Sequence, residues 1–171
     1  MLREPGWQVS VYSAWLVLDN GNMKKVLAIL LFCISSLAHA AQPLVEAWKS
    51  PTCGCCKDWV THLEQNGFTV KVNETADTGI KRAEFGMPDR LGSCHSAKVA
   101  GYALEGHVPA SEIKRLLKEK PKALGLSVPA MPIGSPGMDG PSYRGVKHDY
   151  KVLLVNKDGS YSTYRNYKGN Q

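Results

Sequence analysis

Apolar and polar residues alternate over residues 44–49 and stop at Ser50-Pro51-Thr52, the pattern of a strand running out into a loop. Over residues 57–66 the spacing becomes helical. Trp59, Val60 and Leu63 fall on one face, and Gly67 stands where a C-terminal cap belongs. Alternation returns over residues 68–72. A second helix is predicted over residues 75–85, with Ile80, Ala83 and Phe85 turned inward, and Met87 and Leu91 then lead through a glycine-bearing loop to Cys94-His95. Residues 98–104 read as one strand. Gly106-His107-Val108-Pro109 opens a helix over residues 110–120, with Ile113, Leu116 and Leu117 as its apolar stripe, and Pro121 stops it.

Residues 125–141 hold Pro129, Pro132, Pro136 and Pro141 among several glycines, so they predict a shaped loop with neither helix nor strand. Pro129 and Pro132 are the places where a cis bond facing the cysteines would sit, trans being the ordinary state. The chain closes on a hairpin, residues 150–156 and 160–167 around Lys157-Asp158-Gly159. Strand, cysteine turn, helix, strand, helix, strand, helix and hairpin make an α/β order. It predicts one thioredoxin-like domain, a central mixed sheet flanked by helices with a C-terminal β-hairpin.

The N-terminus changes how much of the 171 residues belongs to that domain. From Met23 the chain reads Met23-Lys24-Lys25, an apolar run over residues 26–34, and then Ser35-Ser36-Leu37-Ala38-His39-Ala40, the layout of a secretory signal peptide cleaved after Ala40. The run is short for a membrane span, so no stable anchor is expected after cleavage. Residues 1–22 would make an odd leader ahead of it and read as an over-extended start, residues 23–40 as the signal, and residues 41–171 as the mature domain. Cys33 leaves with the signal. The expected compartment is the periplasm.

Charge adds little. The formal net charge of +6 falls to +5 once Arg3, Lys24, Lys25, Glu4 and Asp19 are removed, and the remaining lysines and arginines are spread along the chain. No basic stripe interleaved with aromatics appears, so nucleic acid is not an expected partner. No carboxylate pair, Ser-His-Asp set or phosphate-cradling glycine loop stands out.

Chemistry concentrates in Cys53-Gly54-Cys55-Cys56, with Cys94 remote. Cys53 and Cys56 have the C-x-x-C spacing that, at a helix N-terminus, favours thiolate through the helix dipole and free N–H groups. Such thiolates suit either disulfide exchange or a soft metal. A dithiol oxidoreductase needs one attacking and one resolving sulfur, and Cys55 beside them invites wrong disulfides. A copper(I) site gains from each added thiolate, including Cys94 if the fold brings it near. Structural zinc usually takes two well-separated ligand pairs, a poor match for C-x-C-C with one distant partner.

The motifs 50–57 around the cysteines, Ser93-Cys94-His95, Gly106-His107-Val108-Pro109 and Met131-Pro132-Ile133-Gly134-Ser135-Pro136-Gly137-Met138, in that order, resemble the CopG-like family of exported bacterial proteins associated with copper resistance. The resemblance covers nearly all of residues 44–167. It implies a thioredoxin-like fold and a polynuclear copper-thiolate site with Cys53, Cys55, Cys56 and Cys94 as ligands. His95 is a further candidate as ligand or orienting group, while His107 reads as helping to cap the helix that follows. Met131 and Met138 are candidate thioether ligands, against the default of gap filling. The expected function is periplasmic copper binding in copper resistance, with Cu(I) held and redox cycling to Cu(II) open. Copper ions, and periplasmic copper chaperones or efflux components, are the expected partners. The alternative is a thiol-disulfide oxidoreductase using Cys53 and Cys56.

Overall fold

The computed structural model describes residues 43–170. The segments expected to be a signal peptide and an over-extended start, with Cys33, lie outside these. Seven strands, β1 (Val45–Lys49), β2 (Val70–Glu74), β3 (His95–Val99), β4 (Tyr102–Glu105), β5 (Gly125–Ser127), β6 (Tyr150–Val155) and β7 (Tyr161–Tyr167), form one sheet in the order β2-β1-β3-β4-β5-β6-β7. β1 runs parallel to β2 and antiparallel to β3, which is antiparallel to β4. β5 is parallel to β4, and the remaining pairs are antiparallel. This is the mixed α/β sheet expected from the element order, and its first four strands are consistent with a thioredoxin-like arrangement.

Alternation along the strands sorts side chains to two faces. Val45, Ala47, Ala97, Val99, Leu104, Leu126 and Val152 pack with Trp59, Val60 and Leu63 of helix α1 (Gly54–Gln65) and with Ala110, Ile113 and Leu116 of helix α3 (Ala110–Glu119). On the other face Ala103, Leu153 and Val155 meet Phe85, Met87 and Leu91, which follow helix α2 (Thr78–Glu84). Burying three large aliphatic or aromatic side chains from α1 alone is worth about 1.5–3 kcal/mol each. This anchors the helix whose N-terminus carries the cysteines.

Four expectations need correction. Residues 98–104 are the inner part of a hairpin, because Ala100 and Gly101 both take positive φ (47° and 86°) and reverse the chain between β3 and β4. The segment taken as loop contains β5, a strand of three buried residues. Ile80 is 64% exposed and Ala83 is also exposed, since α2 meets the sheet through Phe85 beyond its end. The cysteine turn does not precede α1 but forms its first turn. No peptide bond among the described residues is cis, so Pro129 and Pro132 are both trans.

Candidate metal centre

Cys53 caps α1. Its backbone is extended (φ −76°, ψ 98°), and its Sγ accepts the Cys56 N–H at 3.3 Å, which places the next two cysteines on the first helical turn. Cys53 and Cys56 are joined in a disulfide. Cys94 comes from elsewhere. It immediately precedes β3, whose pairing with β1 brings this loop against the helix N-terminus that follows β1. Its Sγ lies 3.3 Å from Cys56 Sγ, while Cys55 Sγ lies 3.5 Å from Cys53 Sγ. All four sulfurs fall within 4.8 Å of one another, so the remote cysteine does join the cluster.

A second set of donors stands behind Cys94. His107 Nε2 is 3.1 Å from Cys94 Sγ, and His95 Nδ1 is 3.4 Å from it. The Pro136 carbonyl, which can only accept, lies 2.8 Å from His107 Nδ1. Nδ1 therefore carries the proton, and Nε2 turns a lone pair toward the sulfur. His95 is almost fully buried and its Nε2 has no hydrogen-bond partner. Its ring packs 4.3 Å from Trp59 and 5.0 Å from His107, centroid to centroid. His107 is thus no simple helix cap. It is wholly buried, and its role is invisible in sequence because the carbonyl that orients it belongs to the distant proline-rich loop.

That loop forms the third wall. Gly137 has φ +84°, and a Cβ there would lie 2.5 Å from the Cys55 carbonyl and 2.8 Å from Trp59 N. Glycine alone lets residues 136–137 lie against the first turn of α1. Met131, in the same loop, is 48% exposed, whereas the buried Met138 thioether accepts the Tyr143 hydroxyl at 3.2 Å.

Burial sets the protonation. It pushes the Cys94 thiol up to about 12, helped by the Cys55 thiol beside it. It holds His95 well below the ordinary histidine value, with neighbouring His107 acting the same way, and lowers His107 against the pull of its bond to Pro136. Both imidazoles are neutral donors at neutral pH. The donor set comprises sulfur and imidazole with no carboxylate, the chemistry of a soft or borderline cation. Cys53, Cys55 and Cys94 are partly exposed, whereas Cys56 and the histidines are buried, so the sulfur side faces outward. The disulfide must be reduced before Cys53 and Cys56 can offer thiolates.

A family described as a protein of unknown function, DUF411, matches residues 91–138, the stretch that holds Cys94, both histidines and the loop. Two solved structures, named copper resistance protein CopG form 1 and form 2, are 38% and 37% identical to the chain. The alignments cover 75% and 74% of this chain and 99% and 98% of theirs, with a TM-score of 0.68 in each case. The chain belongs to the CopG family. No curated protein matches it. As a CopG relative it carries a cysteine cluster suited to copper, with two histidines completing the donor set. No helix among the described residues is long and apolar enough to cross a membrane.

Proposed function

We propose that this CopG family member is an exported, periplasmic protein of copper homeostasis. It gathers Cu(I) on Cys53, Cys55, Cys56 and Cys94 as a polynuclear thiolate site, with His95 and His107 as nitrogen donors on its inner side. The observation that carries the reading is the meeting of four sulfurs within 4.8 Å, with two neutral imidazoles on the Cys94 side. Thiolates shared between ions suit Cu(I), and imidazole tolerates Cu(II) better than sulfur alone, so the mixed set supports passage of copper between the two oxidation states. Met131, exposed in the proline-rich loop, would serve as a transient thioether, while Met138 would first have to release Tyr143. A periplasmic copper chaperone or efflux component would deliver or take the ion.

The Cys53–Cys56 disulfide at a helix N-terminus favours a second reading, thiol-disulfide exchange. Against it, each bridged sulfur has a further thiol within 3.5 Å that would compete for the mixed disulfide. Loading the anaerobically reduced protein with Cu(I), followed by desalting and metal analysis, separates the two. The copper reading expects more than one ion retained per chain and a clear loss of capacity in Cys55→Ser. Negligible retained copper, with disulfide reductase turnover that survives Cys55→Ser, would reverse the assignment.

A further inference from the structure

Next to the sulfur site lies a largely buried ion pair, its carboxylate enclosed and its guanidinium partly exposed, that metal binding does not itself use. Glu105, at the end of β4, is wholly buried, and its Oε1 accepts Arg82 Nε at 2.9 Å. The same oxygen accepts the Ser93 N–H at 2.7 Å, and Oε2 accepts the Ser96 hydroxyl at 2.6 Å. Arg82 Nη2 in turn donates to the Ser93 carbonyl at 2.7 Å. That carbonyl belongs to the peptide bond entering Cys94.

The pair therefore grips both backbone polar groups of the residue before Cys94 and the hydroxyl of the residue after His95. The outer side is braced too, since the Ser93 hydroxyl donates to the Ala130 carbonyl and Ala130 N–H donates to the Gly92 carbonyl at 2.9 Å. Two glycines leave room for this arrangement. A Cβ at Gly92 would lie 2.7 Å from the Arg82 guanidinium carbon, and one at Gly106 would lie 2.6 Å from Ser93 Cβ.

A buried ion pair is a poor source of net stability, because desolvation consumes most of the attraction and apolar packing often does as well. What it supplies is direction. We infer that Arg82 and Glu105 are positioning residues for the metal centre, setting where the Cys94 sulfur and the His95 ring stand relative to the cysteine turn. The inference rests on the reading of Cys94 as a copper ligand.

The test is Cu(I) affinity of the anaerobically reduced full chain, measured by competition with a coloured Cu(I) chelator. Glu105→Gln, which keeps shape and removes charge, should weaken binding by about 10–100-fold, the usual scale for groups that orient metal ligands. In a Cys94→Ser background the same change should have a much smaller further effect, because the loop then presents no sulfur and only the His95 ring is left to place. An equal loss in both backgrounds would mean general destabilisation and would overturn the inference. Arg82→Lys keeps the charge but loses the second nitrogen on the Ser93 carbonyl. It should retain the thermal midpoint within a few degrees and still weaken copper several-fold, and it decides the matter if Glu105→Gln does not fold. Wild-type affinity in a folded Glu105→Gln or Arg82→Lys protein overturns the inference while leaving the copper reading intact. Unchanged binding in Cys94→Ser alone removes Cys94 from the ligand set and the inference with it, whereas the copper reading itself fails only if the wild-type chain retains no copper.

Discussion

His107 shows how a residue acquires a role that its neighbours in sequence do not announce. Gly106 and Val108-Pro109 around it are those of a helix start, and the partner that fixes its tautomer is the carbonyl of Pro136, 29 positions away. The cysteines are the opposite case, since three thiols in four residues declare their chemistry before any fold is known. Only the nearness of Cys94 had to await the β1–β3 pairing. His62 illustrates a structural histidine. Its Nε2 accepts the Ala110 N–H at 3.1 Å, and burial, opposed by Asp139, lowers it below its ordinary value of 6.5. The folded protein thus holds this ring neutral and binds its proton less readily than the unfolded chain does. Its stabilisation is complete above pH 6.5 and is lost as pH falls through that value toward the lower folded one. Urea midpoints taken at about pH 7.5 and about pH 5 should drop more for wild type than for His62→Gln, which keeps an acceptor without titrating. Equal drops in the two proteins would remove His62 from the account.

Among the elements, long periodic ones were legible and short ones were not. The helix expected over residues 110–120 is α3 almost to the residue, because its stripe, its preceding proline and Pro121 all agree. The hairpin between β3 and β4 was hidden because its turn is Ala100-Gly101, and alanine at positive φ gives none of the Asn or Asp signal that marks such turns. β5 was hidden by the prolines that follow it and by Gly125, which the sheet requires because a Cβ there would run into the backbone of Ala103. The proline-rich loop was rightly read as shaped, and its shape is what orients His107 and covers the first turn of α1. Gly137→Ala tests that coupling. Positive φ and the clash with Cys55 O and Trp59 N should cost about 1–3 kcal/mol, read as a lower urea midpoint. The same change should also weaken Cu(I) retention, since the strain falls on the turn that holds the sulfurs. A stability loss with copper binding fully kept would show that the loop covers the turn without shaping it.

At the scale of the whole molecule, the fold constrains where the mature chain can begin. β1 is an inner strand, paired with β2 on one side and β3 on the other, and Val45 at its start has no exposed surface. Removing any part of β1 would open the sheet beside the cysteine turn, so under the proposed export a signal peptidase would have to cut before residue 45. Cleavage after Ala40 meets that condition with four residues to spare, and Ala38-His39-Ala40 supplies the small side chains the enzyme reads. The proposed export would also bear on the chemistry. In an oxidising compartment the four thiols close into disulfides unless something occupies them, and bound Cu(I) is what would hold Cys53 and Cys56 apart. N-terminal sequencing of the protein recovered from the periplasm should therefore begin at Ala41. That form should bind as much Cu(I) as the reduced full chain, because every proposed ligand lies beyond residue 41. A recovered chain that retains Trp7, or one that starts at Ala41 and has lost its copper capacity, would contradict the division into leader and domain.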